Sequence, residues 1–521
     1  MRSSTLALLA ALSLAGWPAL AEDDPVAEAA AGDVPMSAID WLSDSLATPR
    51  APSRPAEPDV TSGATVEDVT VQPLGLPMPD AVGLLPVSVT GLPRGLWGAS
   101  RPDDLAMRFR QSQPDMLPAI QALLYTLLLA ELDAPAGSDP GSDTVFLARV
   151  DRLLSLGALD QAEALLSRTG ASNPEIFRRW FDTALLLGTE NELCEVLRAT
   201  PELSPTFPAR IFCLARGGDW NAAVLTLETG RALGFISAQD DALLARFLDP
   251  LLFEGEPPLT RPARPTPLTF RMFEAIGEPI PTATLPLAFA QSDLRANIGW
   301  KARAEAGERL ARTGAVGGNQ IWGLYSERRP AASGGVWDRI SALQALDAAI
   351  AARNADRVAE VLPAAWAALR EAELEVPFSQ IHGKTLAGMG LKEEAGALAL
   401  RMGLLSREAE EIAGGATPTS PMDRLLTGLA QGTVEGLSAP TPEAQAVIDG
   451  FRAETVPVRL APLVEADRLG EAILRALALF TSGSRGDLDE VSDALALLRH
   501  VGLEATARRA AIEYLVLERH G

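Results

Sequence analysis

A glycine followed five residues later by a small or aliphatic residue, and nine residues later by another, recurs along this chain. Gly157 leads to Ala162 and Leu166, Gly188 to Leu193 and Leu197, Gly218 to Ala223 and Leu227, Gly390 to Ala395 and Ala399, and Gly502 to Ala507 and Ala511. Two apolar positions four apart share one face of a helix, and a glycine ahead of a helix supplies the left-handed backbone of a tight turn. Before the first of these glycines, Phe146, Val150, Leu153 and Leu154 already recur at helical spacing. The repeating unit is therefore a helical hairpin, and such units bury their apolar stripes by stacking on one another. Composition agrees, because alanine and leucine abound while aromatics make up 5% and tyrosines number three, a balance that favours helices over sheets. The fold class expected is all-α, an α-solenoid of stacked helical hairpins.

The first three glycines stand about 30 residues apart. With the small residue that follows each, they resemble the tetratricopeptide and related α-solenoid families, in which a turn glycine precedes a second helix that packs closely on the first. The resemblance covers about half the chain. The tryptophan, leucine, glycine and tyrosine pattern of the family's first helix is missing, as is its regular closing proline, so the hairpins are tetratricopeptide-like rather than members of the strict family.

The chain opens with Arg2, an apolar run from Leu6 to Leu14, a turn at Gly16 and Pro18, and Ala19-Leu20-Ala21 before Glu22. That is the layout of a secretory signal peptide, with cleavage expected after Ala21 and a periplasmic, exported mature protein. Leu117 to Ala130 is the most apolar later stretch, but Gln121 interrupts it and it is shorter than a bilayer requires. No integral membrane segment is expected after cleavage. From 22 to 100, proline, alanine and acidic residues dominate, and apolar residues come in isolated clusters. Such a segment cannot bury enough surface to offset its ordering entropy, so it reads as a disordered leader. It holds two adhesive spots: Ile39, Trp41, Leu42 and Leu46, suited to a short amphipathic helix on a partner, and Leu84 to Trp97, suited to lying extended in a groove of the helical body.

Prolines at 257, 258, 262, 265 and 267 and the cluster from Gly414 to Pro421 punctuate the body. They divide it into three expected lobes, 101–254, 268–413 and 421–521. In the last, Asp487 and Glu490 form a capping-box pattern ahead of a Leu488, Val491, Leu495 and Leu498 stripe.

Acidic residues outnumber basic ones 68 to 45, for a net charge of −23. Nucleic acid is thereby disfavoured as a partner, since its phosphates need a basic face. Three histidines, His382, His500 and His520, lack metal-ligand spacing, so no metal and no cofactor is expected. His382-Gly383-Lys384-Thr385 carries the end of a phosphate-binding loop without its first glycine or its strand. No nucleophile elbow or focused acidic pair marks a catalytic residue.

The two cysteines, Cys194 and Cys213, lie about equally far from an expected hairpin turn near Leu203. At about 1.5 Å of rise per residue, antiparallel helices would then bring them to one height, and an exported chain would keep the disulfide. Trp300 to Ile340 concentrates aromatics and arginines. Arg328, Arg329, Trp337 and Arg339, together with Trp41 of the leader, are its candidate binding residues, because guanidinium forks and indole faces suit carboxylates, sugars or peptides. Ser333 to Gly335 adds backbone N–H groups that an anion can use.

Ile39-Asp40-Trp41-Leu42-Ser43 and the Pro330 to Trp337 loop resemble exported Ala/Pro-rich proteins of alphaproteobacteria, some labelled antifreeze-glycopeptide-type. The resemblance implies no activity, and the Ala-Ala-Thr repeats behind that label are absent. Exported helical superhelices also occur in lytic transglycosylases, but their catalytic glutamate-serine and Gly-Leu-Met-Gln segments have no counterpart here. The function expected is a non-catalytic periplasmic scaffold or adaptor with an envelope protein partner. A peptidoglycan-related enzyme or accessory subunit, or a peptide or small-molecule binding protein, stands as the alternative, and the oligomeric state is left open.

Overall fold

The computed structural model describes residues 78–519 apart from 114, 140, 171 and 172, all within the unit Met36–Gly521. Among these residues the regular structure is helical, with one isolated bridge between Leu85 and Ala130. Helices of seven or more residues are numbered in chain order. The first group is α1 (Pro102–Gln111), α2 (Pro118–Leu129), α3 (Thr144–Ser155), α4 (Leu159–Thr169), α5 (Pro174–Leu187), α6 (Glu190–Ala199), α7 (Phe207–Arg216), α8 (Trp220–Ala232), α9 (Ala238–Leu248) and α10 (Pro267–Ala275). The middle of the chain forms α11 (Trp300–Arg312), α12 (Gly318–Ser326), α13 (Val336–Ala351), α14 (Ala355–Ala372), α15 (Glu375–Ala387), α16 (Glu393–Leu404) and α17 (Ala409–Gly415). The last group is α18 (Pro421–Gln431), α19 (Pro442–Arg452), α20 (Leu469–Gly483), α21 (Leu488–His500) and α22 (Glu504–Leu517).

All five repeat glycines sit between consecutive helices with positive φ, from +68° at Gly390 to +86° at Gly188 and Gly502. The ten residues five and nine positions downstream are all buried. Each hairpin thus closes as its glycine dictates, and neighbouring hairpins stack through the apolar stripes.

The stack also brings its two ends together, which nothing in the repeat requires. Helix α22 packs on α2 and α18, and α20 packs on α1 and α2. Helix α2 is covered from several sides, and this accounts for its apolar circumference. It is a core helix; no helix of the described residues is long and apolar enough to cross a membrane.

The expectation of disorder up to residue 100 is corrected for residues 78–100, which belong to the packed body. Asp80 accepts the Phe146 N–H at 2.8 Å and so caps α3. The N–H groups of Leu84 and Leu85 donate to Leu129 O at 2.7 and 3.0 Å. Arg149, fully enclosed, donates to the carbonyls of Leu128, Val82 and Ala130, locking this strap to the end of α2. Farther along, Leu96 and Trp97 are buried against α20. A Cβ on Gly470 would lie 2.4 Å from the Trp97 ring, so only glycine admits the indole there. Prolines made this stretch read as unstructured, yet its leucines and Trp97 find a groove that distant helices build.

The three-lobe division is corrected too. One apolar cluster runs from Leu159 to Phe289 and includes both Leu227 and Leu268, on either side of the Pro257–Pro267 stretch. The other joins residues 85–166 to residues 290–517 and passes through the Gly414–Pro421 break. The prolines there have a local role: Pro267 and Pro421 occupy first-turn positions of α10 and α18, behind the capping hydroxyls of Thr266 and Ser420. They start helices without separating cores. At α21 the Asp487 side chain accepts the Glu490 N–H as expected, but the Glu490 carboxylate pairs with Ser482 and Arg459 and does not close the capping box.

Candidate functional site

The arginine- and tryptophan-rich segment places its candidate residues in different surroundings. Trp337 lies against Trp300 with ring centroids 4.7 Å apart, and the Trp300 indole N–H donates to Leu324 O at 2.7 Å. Arg339 pairs with buried Glu308 at 2.6 Å, and the Tyr325 hydroxyl donates to the same carboxylate at 2.5 Å. That carboxylate and Glu371 hold the guanidinium charged, against the cost of its burial. Arg328 and Arg329 are exposed; the Arg328 guanidinium lies 3.5 Å from Glu327, and its carbonyl accepts from Gln344. The Gly334 N–H, offered by the sequence as an anion donor, is taken by Asp338 at 3.0 Å. The candidate binding residues on this segment therefore divide between core ion pairing, indole packing and an open surface. Trp41 lies outside the described residues, as does His520.

His382 packs between Phe378 and Trp322, 3.6 Å from Asp347, and burial lowers its pKa. His500 occupies the last turn of α21. No group of three or more metal-ligating side chains occurs among the described residues. Cys194 on α6 and Cys213 on α7 are disulfide-bonded, with Cα atoms 4.9 Å apart across a turn at Pro201–Leu203.

A cavity of mixed lining lies elsewhere, where the beginning, middle and end of the described chain meet. Its volume is about 290 Å³. The first turns of α2, the Arg312–Gly318 connection between α11 and α12, the start of α15, the loop residue Arg407 and one face of α22 form its walls. Each wall has a local reason. Pro118 opens α2 in its first turn, and the Ala119 N–H left free by the helix start donates to Glu513 Oε2 at 2.7 Å. Gly314, with φ +69°, allows the sharp turn after α11, and a Cβ there would stand 3.3 Å from Gln121 Oε1. A Cβ on Gly318 would lie 2.5 Å from Pro377 O, so glycine lets the start of α12 reach the start of α15.

Several lining groups are spent on structure. Tyr125 donates to Thr313 O at 3.0 Å, Arg312 Nε donates to Ala372 O at 2.8 Å, and Gln380 Nε2 donates to Leu405 O at 3.1 Å. Others are left over. Gln121 is 3% exposed and its Nε2 meets no acceptor among the described residues; Gln380 Oε1 meets no donor. Burial pushes the Glu513 carboxyl up to about 7, opposed by the Ala119 N–H and by Arg509. Burial likewise lowers Arg509, with Glu513 opposing and the like charge of Arg407 adding to the effect.

The lining contains no serine, threonine, cysteine, histidine, aspartate or lysine. It offers donors and acceptors around a small volume, an arrangement suited to holding a molecule. A second cavity, about 230 Å³, surrounds Glu190, which is enclosed between Arg216 at 3.2 Å and Arg271 at 3.3 Å. Both guanidiniums reach Glu190 Oε1, while its Oε2 meets no donor among the described residues.

Reasoning along the chain missed the larger cavity because its residues come from stretches near 120, 315, 378, 407 and 511, each unremarkable alone. The readable signal was Gln121, a lone amide in an otherwise apolar helix. No protein-family model, no curated protein and no solved structure matches this chain.

Proposed function

We propose that this chain is an exported, non-catalytic binding protein that takes a small polar molecule into the cavity between α2, α12, α15 and α22. The observation that carries the reading is Gln121, which lines that cavity from an apolar helix and whose buried Nε2 meets no acceptor among the described residues. An unmet buried donor costs about 1–3 kcal/mol, a cost that a bound acceptor removes. Export rests on the Arg2 to Ala21 layout.

Thermal unfolding of the mature chain against a panel of amino acids, short peptides, organic acids and sugars tests the reading. A compound at about 100 times its Kd adds about 2.7 kcal/mol of stability. The response should disappear in Gln121→Leu, which keeps the side-chain volume and removes the donor. A panel without any stabilising compound, or one whose effect survives Gln121→Leu unchanged, overturns it.

The scaffold reading keeps one observation of its own. Helix α8 and the turns after it expose Trp220, Leu225, Leu233 and Phe235, and Leu251 and Leu252 are exposed beyond α9. Exposed apolar side chains on one segment suit a protein partner in the envelope.

A further inference from the structure

Several arginines of the described residues reach the interior with a carboxylate or a set of carbonyls to meet them. Arg339 meets Glu308, Arg519 meets Glu375 at 2.6 Å, Arg108 and Arg468 converge on Glu471, and Arg149 saturates three carbonyls. The cavity holds three arginines without a carboxylate partner among the described residues: Arg312 and Arg407 are exposed, Arg509 is half-buried, and Arg312 Nε donates to Ala372 O. None forms an ion pair within the 4.0 Å that marks such pairs elsewhere. Burial lowers the Arg509 pKa, and the like charge of Arg407 adds to that effect. Beside them the buried Gln121 amide holds an unused donor.

From this we propose, building on the binding function above, that the cavity recognises a carboxylate, clasped by Arg509 and Arg407 with Gln121 donating to the same ligand. A guanidinium fork matches a planar carboxylate with two parallel hydrogen bonds. The remaining charges select a single negative charge over a phosphate. Glu373, Glu408 and Glu513 also line the cavity, and Glu513 stands one helical turn from Arg509 on α22. A dianion would be repelled by these carboxylates, whereas a monoanionic group can sit at the arginine side.

The test uses the full mature chain at fixed ionic strength and neutral pH, with three pairs of probes: acetate and acetamide, succinate and succinamide, L-glutamate and L-glutamine. Inorganic phosphate is the fourth arm. Isothermal titration should show at least one carboxylate binding ten-fold or more tightly than its amide partner. Arg509→Gln should weaken that binding at least ten-fold, and Arg407→Gln, at an exposed position that folding does not need, should weaken it as well. Equal affinity within each pair, or tighter binding of phosphate than of every carboxylate, overturns the carboxylate assignment while leaving a binding cavity. A neutral compound from the wider panel that binds through Gln121, with all the carboxylates silent, does the same. If no compound of either set binds, both proposals fall together.

Discussion

Replacing Trp97 by alanine tests whether residues 78–100 are part of the folded body. The indole is 1% exposed, meets Phe109 edge-to-face with centroids 5.8 Å apart, and covers Gly470. Truncating a buried tryptophan costs about 3–5 kcal/mol in lost transfer energy and residual cavity. Within that sum, the aromatic pair contributes about 0.5–1.5 kcal/mol. The neighbouring backbone bonds, Gly470 N–H to Leu96 O at 2.9 Å and Ala99 N–H to Asp467 O at 2.8 Å, limit how far the groove can collapse around the void. A loss of about 4 kcal/mol follows from the middle of that range. Urea unfolding followed by far-ultraviolet circular dichroism measures it, with Trp220→Ala as the control. Trp220 is 48% exposed, and its truncation should cost under about 1 kcal/mol, as surface changes do. If Trp97→Ala and the control lose the same amount, the strap is not held as argued.

Further outcomes follow from buried charge and covalent links. Because burial raises the Glu513 pKa from 4.5 to about 7, the folded state binds more protons than the unfolded one between those values, and stability falls as pH rises through the interval. Glu513→Gln, still able to accept the Ala119 N–H, should remove about 3 kcal/mol of that decline between pH 4.5 and 7.5; parallel unfolding curves for the two proteins would contradict it. Glu471 is 2% exposed between Arg108 and Arg468, so Glu471→Ala, which takes the carboxylate from Arg108 and leaves Arg468 with Asp104 alone, should cost about 3 kcal/mol, read by calorimetry. The native protein should show no alkylatable thiol by mass spectrometry until reduced, and the Cys194→Ser, Cys213→Ser double variant should lose about 3 kcal/mol.

The hairpins were readable because their cause is local. A glycine that must adopt positive φ, and small residues that recur on one helical face, express the same constraint at Gly157 and at Gly502. Candidate binding residues were not readable in this way. Arg339 and Trp337 have the side chains of a recognition site, yet Glu308 and Trp300 occupy them, and neither partner is adjacent in sequence. The prolines near 260 and 420 broke the helical pattern and suggested boundaries, but whether a break separates cores depends on what packs across it.

Sequence alone determined that this chain forms helices, where five of its hairpins turn, and that Cys194 and Cys213 fall at matching heights, because each depends on backbone preferences and spacing within a few tens of residues. Only the tertiary structure decided that α22 returns to α2, that the Leu84 to Trp97 segment lies in the core, and that Gln121, Arg407 and Arg509 face one cavity. These are meetings between residues hundreds of positions apart. Their physical origin is the summed burial of many apolar stripes, which no single stretch of sequence carries.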